Sequence, residues 1–193
     1  MNAEQQAAVD ILIAQKAQTY SLDPSLIRAI IQQESNWNIN ARLWEPRLNE
    51  ASVGLMQVLV STATQVLGYT VTEQQLYDPN LNLEAGCKFL LQLMGRFAQQ
   101  GIDAVIAAYN AGSPRFTSAG VFVNQSYVDK VDQYYGMYVN LGGAAQTVAS
   151  TYSKLTGGPE SGSPDSPTGL FVLSAAILFF DVFKFWHKTR KKA

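Results

Sequence analysis

The sequence has little of the chemistry that most nucleophilic and metal-dependent enzymes need. Its 193 residues include one cysteine, Cys87, and one histidine, His187. A lone cysteine excludes an intramolecular disulfide and a cysteine-based metal site. A lone histidine in a basic tail excludes Ser-His-Asp and Cys-His catalysis and a histidine-ligated zinc. We therefore expect no metal and no cofactor, and we interpret Cys87 as a small core residue.

Charge is also scarce and unevenly distributed. Charged residues make up 15% of the chain and the net charge is −1. Residues 181–193 carry five Lys/Arg and one Asp, whereas the rest of the chain carries nine Lys/Arg and fourteen Asp/Glu. A nucleic-acid enzyme normally has its basic excess on the folded domain, so we expect no nucleic-acid partner. The N-terminus has no basic start, unbroken apolar core or small-residue cleavage site, and it does not resemble a signal peptide.

Strand-like alternation of apolar and polar residues is rare, and helical periodicity dominates. Helices are predicted over residues 3–19, 24–35, 61–67, from Asn80 or Asn82 to about Gln100, 103–111 and 124–140. Ser61 and Asp103 are the predicted caps of two of them. The fold class is therefore mainly α, with one domain over residues 1–140.

The helix over residues 24–35 carries a carboxyl group on its apolar face. Asp23 is a suitable cap and Pro24 suits the first helical position. The apolar face consists of Ile27, Ile30 and Ile31. Glu34 continues that face near the helix C-terminus, where both burial and the helix dipole disfavour negative charge, so we predict a raised pKa. A neutral carboxyl in an apolar cleft suits a general acid, although a surface glutamate near a helix end is the alternative.

Three further motifs follow Glu34-Ser35 along the chain. They are Gly54-Leu55-Met56-Gln57 in an extended or tight segment, Ala107 to Gly112 with Tyr109-Asn110 at a helix end, and Tyr127-Val128 followed by Lys130-Val131. In this order and at these separations the motifs resemble the lytic transglycosylases that cleave bacterial peptidoglycan. The resemblance covers about residues 20–140 and implies a lysozyme-like α fold.

The resemblance also implies residue roles. Glu34 matches the single catalytic acid/base, and Tyr109 is expected to lie against it and orient it. The implied substrate-binding residues are Ser52, Met56, Gln57, Tyr109, Asn110 and Tyr127, with Met56 and Gln57 lining the sugar groove. The structural alternatives are that Met56 belongs to the core and that the Tyr109 hydroxyl bonds a backbone group.

One catalytic carboxylate implies an intramolecular reaction, because glycoside hydrolysis usually needs two. Within the family, the acid cleaves the MurNAc–GlcNAc bond and the MurNAc C6 hydroxyl closes on C1, which leaves a 1,6-anhydro end. The related goose-type lysozymes recruit an acidic residue from the loop before the Gly-Leu-Met-Gln motif to hold a water. Glu45 and Glu50 lie in that loop, so a hydrolytic muramidase remains an alternative.

The C-terminal quarter changes in composition. Residues 141–168 are rich in Gly, Ser, Thr and Pro, and predict a flexible linker. Residues 169–186 are apolar apart from Asp181 and Lys184, and a helix of this length would span roughly 27 Å. Trp186 and the basic tail 187–193 are typical of residues at a membrane interface. We predict a membrane helix at 169–186, with an amphipathic or partner-packing helix as the alternative.

These features suggest several cellular contexts. We expect the C-terminal helix to anchor the protein to a membrane while the domain acts on periplasmic peptidoglycan strands. We also expect the protein to be associated with a bacteriophage virion, where it would open the cell wall for genome entry. A bacterial enzyme of a secretion or conjugation machine is the first alternative. An inactive glycan-binding or membrane-scaffolding module is the second, because such a module would keep the same fold and groove.

Overall fold

The computed structural model describes the backbone of residues 1–156 and the side chains of residues 1–143. The helices are α1 (Ala3–Tyr20), α2 (Pro24–Ser35), α3 (Val60–Leu67), α4 (Pro79–Phe97), α5 (Ile102–Ala111) and α6 (Gln125–Thr156), the strands are β1 (Arg42–Glu45), β2 (Glu50–Val53) and β3 (Val58–Leu59), and two 3-10 turns lie at Gln74–Tyr77 and Ala98–Gln100. The prediction of a mainly helical fold is confirmed. A first compact unit, Met1–Val139, contains every predicted site residue.

Helix α2 has the limits and caps that its sequence predicts. Asp23 lies outside the helix, and its Oδ1 accepts a hydrogen bond from the Ser25 amide at 2.7 Å. Asn36 ends the helix in the left-handed conformation, with φ of 49°. The buried residues of α2 are Leu26, Ile27, Ala29, Ile30 and Ile31. Helix α2, whose C-terminal turn carries Glu34, is therefore fixed by core packing on one face and by a cap at each end.

A small antiparallel sheet, in the order β1-β2-β3, was missed by the sequence analysis. Its register pairs Leu43 with Ser52 and Glu45 with Glu50. Strands β1 and β2 have four residues each and β3 has two. Strands of this length are too short to show a period-two pattern in the sequence. The sheet matters for function because β2 and β3 flank the turn Gly54-Leu55-Met56-Gln57, called the Gly54 turn below.

Three helix starts differ from the prediction. Leu59, not Ser61, is the N-cap of α3, and Ser61 lies in the first turn instead. Asp78 caps α4 by accepting a hydrogen bond from the Leu81 amide at 2.9 Å. Gly101, not Asp103, precedes α5. At α3, the Glu50 carboxylate of β2 accepts a hydrogen bond from the Ser61 amide and so takes the role of a local cap. No local sequence pattern reveals such a contact.

Helix α6 is longer than predicted. It continues to Thr156, so the first part of the predicted 141–168 linker is helical. Composition misled here, because Gly142 and Gly143 weaken a helix without ending it when the surrounding residues have ordinary propensities. The remainder of the linker, the predicted membrane helix 169–186 and the tail 187–193 lie outside the described residues. Within residues 1–156, none of the helices is long and apolar enough to span a bilayer.

Candidate active site

Glu34 lies at the C-terminal end of α2, partly buried, with its Oε1 accepting a hydrogen bond from the Tyr127 hydroxyl at 2.5 Å. Burial raises the pKa of Glu34 from its ordinary 4.5 to about 7. The Tyr127 hydrogen bond opposes that shift, and the charge of Glu45 adds to it. Desolvation is the leading cause, as predicted from the position of Glu34 on an apolar helix face. A carboxyl with this pKa is substantially protonated near neutral pH.

Tyr127 makes the orienting contact with Glu34, which corrects the assignment of that role to Tyr109. Its side chain is 9% exposed and its pKa is raised well above the ordinary value by burial and by the Glu34 charge. The phenol therefore stays protonated and remains a donor at every pH at which Glu34 titrates. The sequence pointed to Tyr127 only as the aromatic residue of the last motif, because the contact joins residues far apart in the chain.

The position of Tyr127 depends on how α6 is attached to α2. Near the other end of α2, the Tyr135 hydroxyl donates to Asp23 Oδ2 at 2.7 Å. Further along α6, the Tyr138 hydroxyl donates to Gln32 Oε1 at 3.1 Å. These hydroxyls join residues 125–139, the first part of α6, to α2, so the distance between the Tyr127 phenol and the Glu34 carboxyl is set by contacts at several points.

Tyr109 is placed by α5 and lies in the core, 8% exposed. Its hydroxyl donates to the Met56 carbonyl at 3.0 Å, and its ring packs at 5.4 Å, centroid to centroid, on Phe89. This is the structural alternative stated for Tyr109 above. The charge of Glu34 contributes to the raised pKa of the Tyr109 phenol, after burial itself, so the two residues are near each other without a hydrogen bond between them.

The Gly54 turn carries the second part of the site. Ser52 Oγ donates to Gln57 Oε1 at 3.1 Å, and Gln57 Nε2 donates to the Gly54 carbonyl at 3.0 Å. Gln57 has φ of 45°, a left-handed conformation that costs a residue with a Cβ free energy. Strained backbone conformations of this kind cluster at functional sites. Gln57 is partly exposed, so its side chain is accessible to a ligand. Ser52 and Gln57 therefore form one polar unit.

Met56 does not line an open groove, contrary to the prediction. Its side chain has no exposed surface, and a Cβ added to Gly86 would lie 2.4 Å from its sulfur atom. The side chain fills the space that the missing Cβ of Gly86 leaves on α4. Met56 thus contributes core packing and a backbone carbonyl, which is the other alternative stated above.

Asn110 is exposed at the end of α5, next to the start of α6. Its Oδ1 accepts a hydrogen bond from Asn124 Nδ2 at 2.9 Å, and the same Nδ2 donates to the Ala107 carbonyl at 3.0 Å. The Asn110 amide nitrogen has no partner among these bonds, and the residue is exposed. This placement is compatible with the predicted contact between Asn110 and substrate.

The two candidates for a second carboxylate have different surroundings. Both Glu50 oxygens are occupied at the start of α3, by the Ser61 amide at 2.9 Å and the Ser61 hydroxyl at 2.6 Å. Glu45 is partly buried at the end of β1, and its charge raises the pKa of Glu34. Glu45 is therefore the acidic residue of this loop whose charge acts on the candidate acid, and Glu50 has a structural role.

Asn82 is a residue of the site region that the sequence analysis did not assign. It is 1% exposed on α4 and bonds the backbone around the Gly54 turn. The signal was present in the sequence, because Asn82 is a polar residue on the apolar face of a helix that also carries Gly86 and Leu90. Among the described residues, no group of three His, Cys, Asp or Glu side chains is placed to hold a metal ion.

The fold and site together define a lysozyme-like domain: a mainly helical unit with a partly buried carboxyl at a helix end beside a short antiparallel sheet. The Transglycosylase SLT domain matches residues 11–122, more than half of the chain. The chain belongs to the transglycosylase SLT family.

Curated relatives and a solved structure agree with this placement. Membrane-bound lytic murein transglycosylase C of Haemophilus influenzae strain PittEE is 35% identical over 115 residues, covering 53% of this chain and 30% of the relative. The protein of the same name from strain PittGG is 31% identical over 137 residues, covering 64% and 37%. The chain thus spans about a third of the length of these relatives. The crystal structure of the 70 kDa soluble lytic transglycosylase of Escherichia coli superimposes with a TM-score of 0.57 at 23% identity, covering 68% of this chain and 24% of that one.

Proposed function

We propose that this protein is a peptidoglycan lytic transglycosylase in which Glu34 is the only catalytic acid and base. The observation that carries the proposal is the Glu34 carboxyl itself, which has a pKa of about 7 and is held by the Tyr127 phenol. Membership of the transglycosylase SLT family and similarity to the murein transglycosylases support the substrate class.

The reaction uses the Glu34 carboxyl twice, first as an acid and then as a base. The protonated Glu34 carboxyl donates to the glycosidic oxygen between MurNAc and GlcNAc, and the C1–O bond of MurNAc breaks as GlcNAc leaves. The resulting Glu34 carboxylate accepts the proton of the C6 hydroxyl of the same MurNAc, while O6 bonds to C1. The product ends in 1,6-anhydro-MurNAc, no water is consumed, and Glu34 is protonated again. A tethered nucleophile gives the second step a large entropic advantage over attack by a free molecule.

The surrounding side chains have supporting roles in this proposal. Tyr127 fixes the direction of the Glu34 carboxyl, so that its proton points into the groove. Ser52, Gln57 and Asn110 supply hydrogen-bonding groups for the sugars, whose ring hydroxyls and N-acetyl groups need polar partners of this kind. Met56 and Tyr109 support the Gly54 turn from within the core and do not contact sugar in this mechanism.

A hydrolytic muramidase is the second candidate, and Glu45 is the observation that favours it. A carboxylate opposite the acid is able to hold and deprotonate a water in an inverting glycosidase. In that case the product carries a reducing MurNAc end. The influence of Glu45 on the pKa of Glu34 supports this candidate, whereas the bonds between Glu50 and Ser61 argue against Glu50.

The variant Glu45→Gln separates the two reactions. We expect it to keep at least about a third of the activity and to give the same anhydro products. The reason is that removing the Glu45 charge changes the free energy of ionising Glu34 only modestly. Intact sacculi are digested and the muropeptides are analysed by mass spectrometry. A wild-type digest with reducing MurNAc ends and no anhydro form, together with an inactive Glu45→Gln, would establish the hydrolytic reaction instead. Glu4→Gln, an exposed glutamate in the first turn of α1, is the control.

Membrane attachment through residues 169–186 is a separate proposal that rests on the sequence alone. The apolar run, Trp186 and the basic residues of the tail support it. Flotation of the full chain with lipid vesicles, compared with a chain lacking residues 169–193, is the test, and equal flotation of both would refute it.

The virion context stays a prediction, which detection of the protein in purified virions would support and its absence there would refute. Clearing of a peptidoglycan zymogram would exclude the inactive binding module.

A further inference from the structure

Asn82 is one of two polar side chains that the structure buries among its described core residues, the other being Ser52. Its amide makes three hydrogen bonds, each with the backbone. Oδ1 accepts from the Met56 amide at 2.9 Å, and Nδ2 donates to the carbonyls of Val53 at 2.8 Å and Leu76 at 3.0 Å. Both N–H groups and the carbonyl oxygen of this primary amide therefore have a hydrogen-bond partner.

Two of the three partners belong to the segment that carries the substrate-binding side chains. Val53 is the last residue of β2 and Met56 lies inside the Gly54 turn. The turn also lies directly against the Asn82 amide, because a Cβ added to Gly54 would be 2.4 Å from Asn82 Nδ2. Gly54 has φ of 77°, which adds a second reason for glycine at this position. The geometry of the turn is therefore complementary to one amide on α4.

The backbone of Met56 is held on two sides. Its N–H donates to Asn82 Oδ1 on α4, and its carbonyl accepts from the Tyr109 hydroxyl on α5. One helical turn after Asn82, Gly86 leaves room for the Met56 side chain. Gln57, which has the left-handed backbone and is partly exposed, follows directly.

We propose that Asn82 is a positioning residue for the glycan, acting through the Gly54 turn to fix the Gln57–Ser52 pair at a set distance from Glu34. The inference rests on the proposed function for its substrate and adds to it a residue that contacts neither sugar nor the acid. Asn82 bonds neither Glu34 nor Tyr127, so its loss disturbs ground-state sugar binding and leaves the acid itself unchanged. The expected signature is a raised KM with little change in kcat or in the pH dependence of kcat.

The variant Asn82→Ala tests this directly. It removes the Asn82 partner of the Met56 amide and of two carbonyls, so we expect KM for a soluble glycan fragment to rise about tenfold while kcat stays within about threefold. Amide hydrogen exchange of Met56 is measured in parallel, and its protection should fall at least about tenfold more than that of core amides in α2. Both readouts are compared with Leu93→Ala, a fully buried residue about three turns further along α4.

Leu93→Ala separates positioning from general destabilisation. It should lower the free energy of unfolding by a comparable amount yet leave KM and the relative protection of Met56 unchanged. A KM for Asn82→Ala equal to that of Leu93→Ala, or a fall in kcat without a rise in KM, would overturn the proposal. Should Asn82→Ala fail to fold, Asn82→Asp takes its place, because it keeps the acceptor for the Met56 amide and loses the two donors. An unchanged KM in that variant would overturn the proposal equally.

The two readouts also keep the proposed function and this inference apart. If the wild type releases no product from peptidoglycan, the proposed function fails. The Met56 exchange data and the affinity for the same glycan fragment, measured by calorimetry, still decide whether Asn82 fixes a glycan-binding turn. If the wild type cleaves and Glu34→Gln does not, while Asn82→Ala binds glycan as the wild type does, only the inference about Asn82 fails.

Discussion

Replacing Glu34 by glutamine should lower kcat on peptidoglycan by about 10³-fold or more, because a general acid typically contributes between about 10² and 10⁴. Glutamine is nearly isosteric and can still accept the Tyr127 hydrogen bond, but it has no acidic proton to transfer and no lone pair of sufficient basicity to accept one. Both halves of the proposed reaction need that side chain, so no residue remains to carry either step. Release of soluble muropeptides from purified sacculi is the measurement.

The loss should not come from unfolding. Burial raises the folded-state pKa of Glu34 from 4.5 to about 7. The protonated form is therefore favoured by folding, and this contribution to stability is complete below about pH 4.5 and is lost as pH rises through 7. Glutamine never ionises, so at about pH 8 the variant should be up to about 3 kcal/mol more stable than the wild type. A Glu34→Gln protein that is folded and still cleaves sacculi at more than a tenth of the wild-type rate would contradict the assignment.

Replacing Tyr127 by phenylalanine should change both the rate and its pH dependence. The Tyr127 hydrogen bond lowers the pKa of Glu34 against the larger effect of burial, so its removal should raise that pKa further. The alkaline limb of kcat/KM, which reports the loss of the Glu34 proton in the free enzyme, should move to higher pH. We also expect kcat to fall about 10- to 100-fold, because the carboxyl loses the group that directs it. A pH profile of kcat/KM on a soluble glycan fragment gives both quantities.

Tyr109→Phe is the matched control for this experiment, because it also removes one phenol hydroxyl from a buried tyrosine. The Tyr109 hydroxyl bonds the Met56 carbonyl and not the carboxyl, so the alkaline limb should stay where the wild type has it. A rise in KM is the expected effect, since the Gly54 turn loses one support. A shifted limb in Tyr109→Phe combined with an unshifted limb in Tyr127→Phe would mean that Tyr109, and not Tyr127, orients the Glu34 carboxyl.

The sequence predicted best what local chemistry determines. The capped α2 helix follows from Asp23, Pro24 and the isoleucine spacing, and all of this information lies within a dozen residues. The raised pKa of Glu34 follows from the same stretch, because a carboxyl on an apolar helix face loses water whichever element covers it. The family resemblance of the four motifs then supplied the class of enzyme, which the helix alone would not.

The sequence predicted less well what depends on contacts between distant segments. The choice between Tyr109 and Tyr127 as the partner of Glu34 depends on how α6 is attached to α2, and no periodicity encodes that attachment. Met56 looked like a groove residue until the missing Cβ of Gly86 gave its side chain a place in the core. The linker was placed too early because glycine content indicates helix weakness, whereas the end of a helix depends on its caps and neighbours.

The central claim is that folding keeps a proton on Glu34 near neutral pH, and the pKa of that carboxyl is the most direct test. Carbon-13 labelling of glutamate and an NMR titration of the full chain, with Glu34→Gln to assign the signal, measure it without any substrate. The proposed mechanism predicts a midpoint of about 7 for Glu34. A midpoint near the ordinary value of 4.5 would mean that the carboxyl is ionised at neutral pH and would contradict the proposed acid.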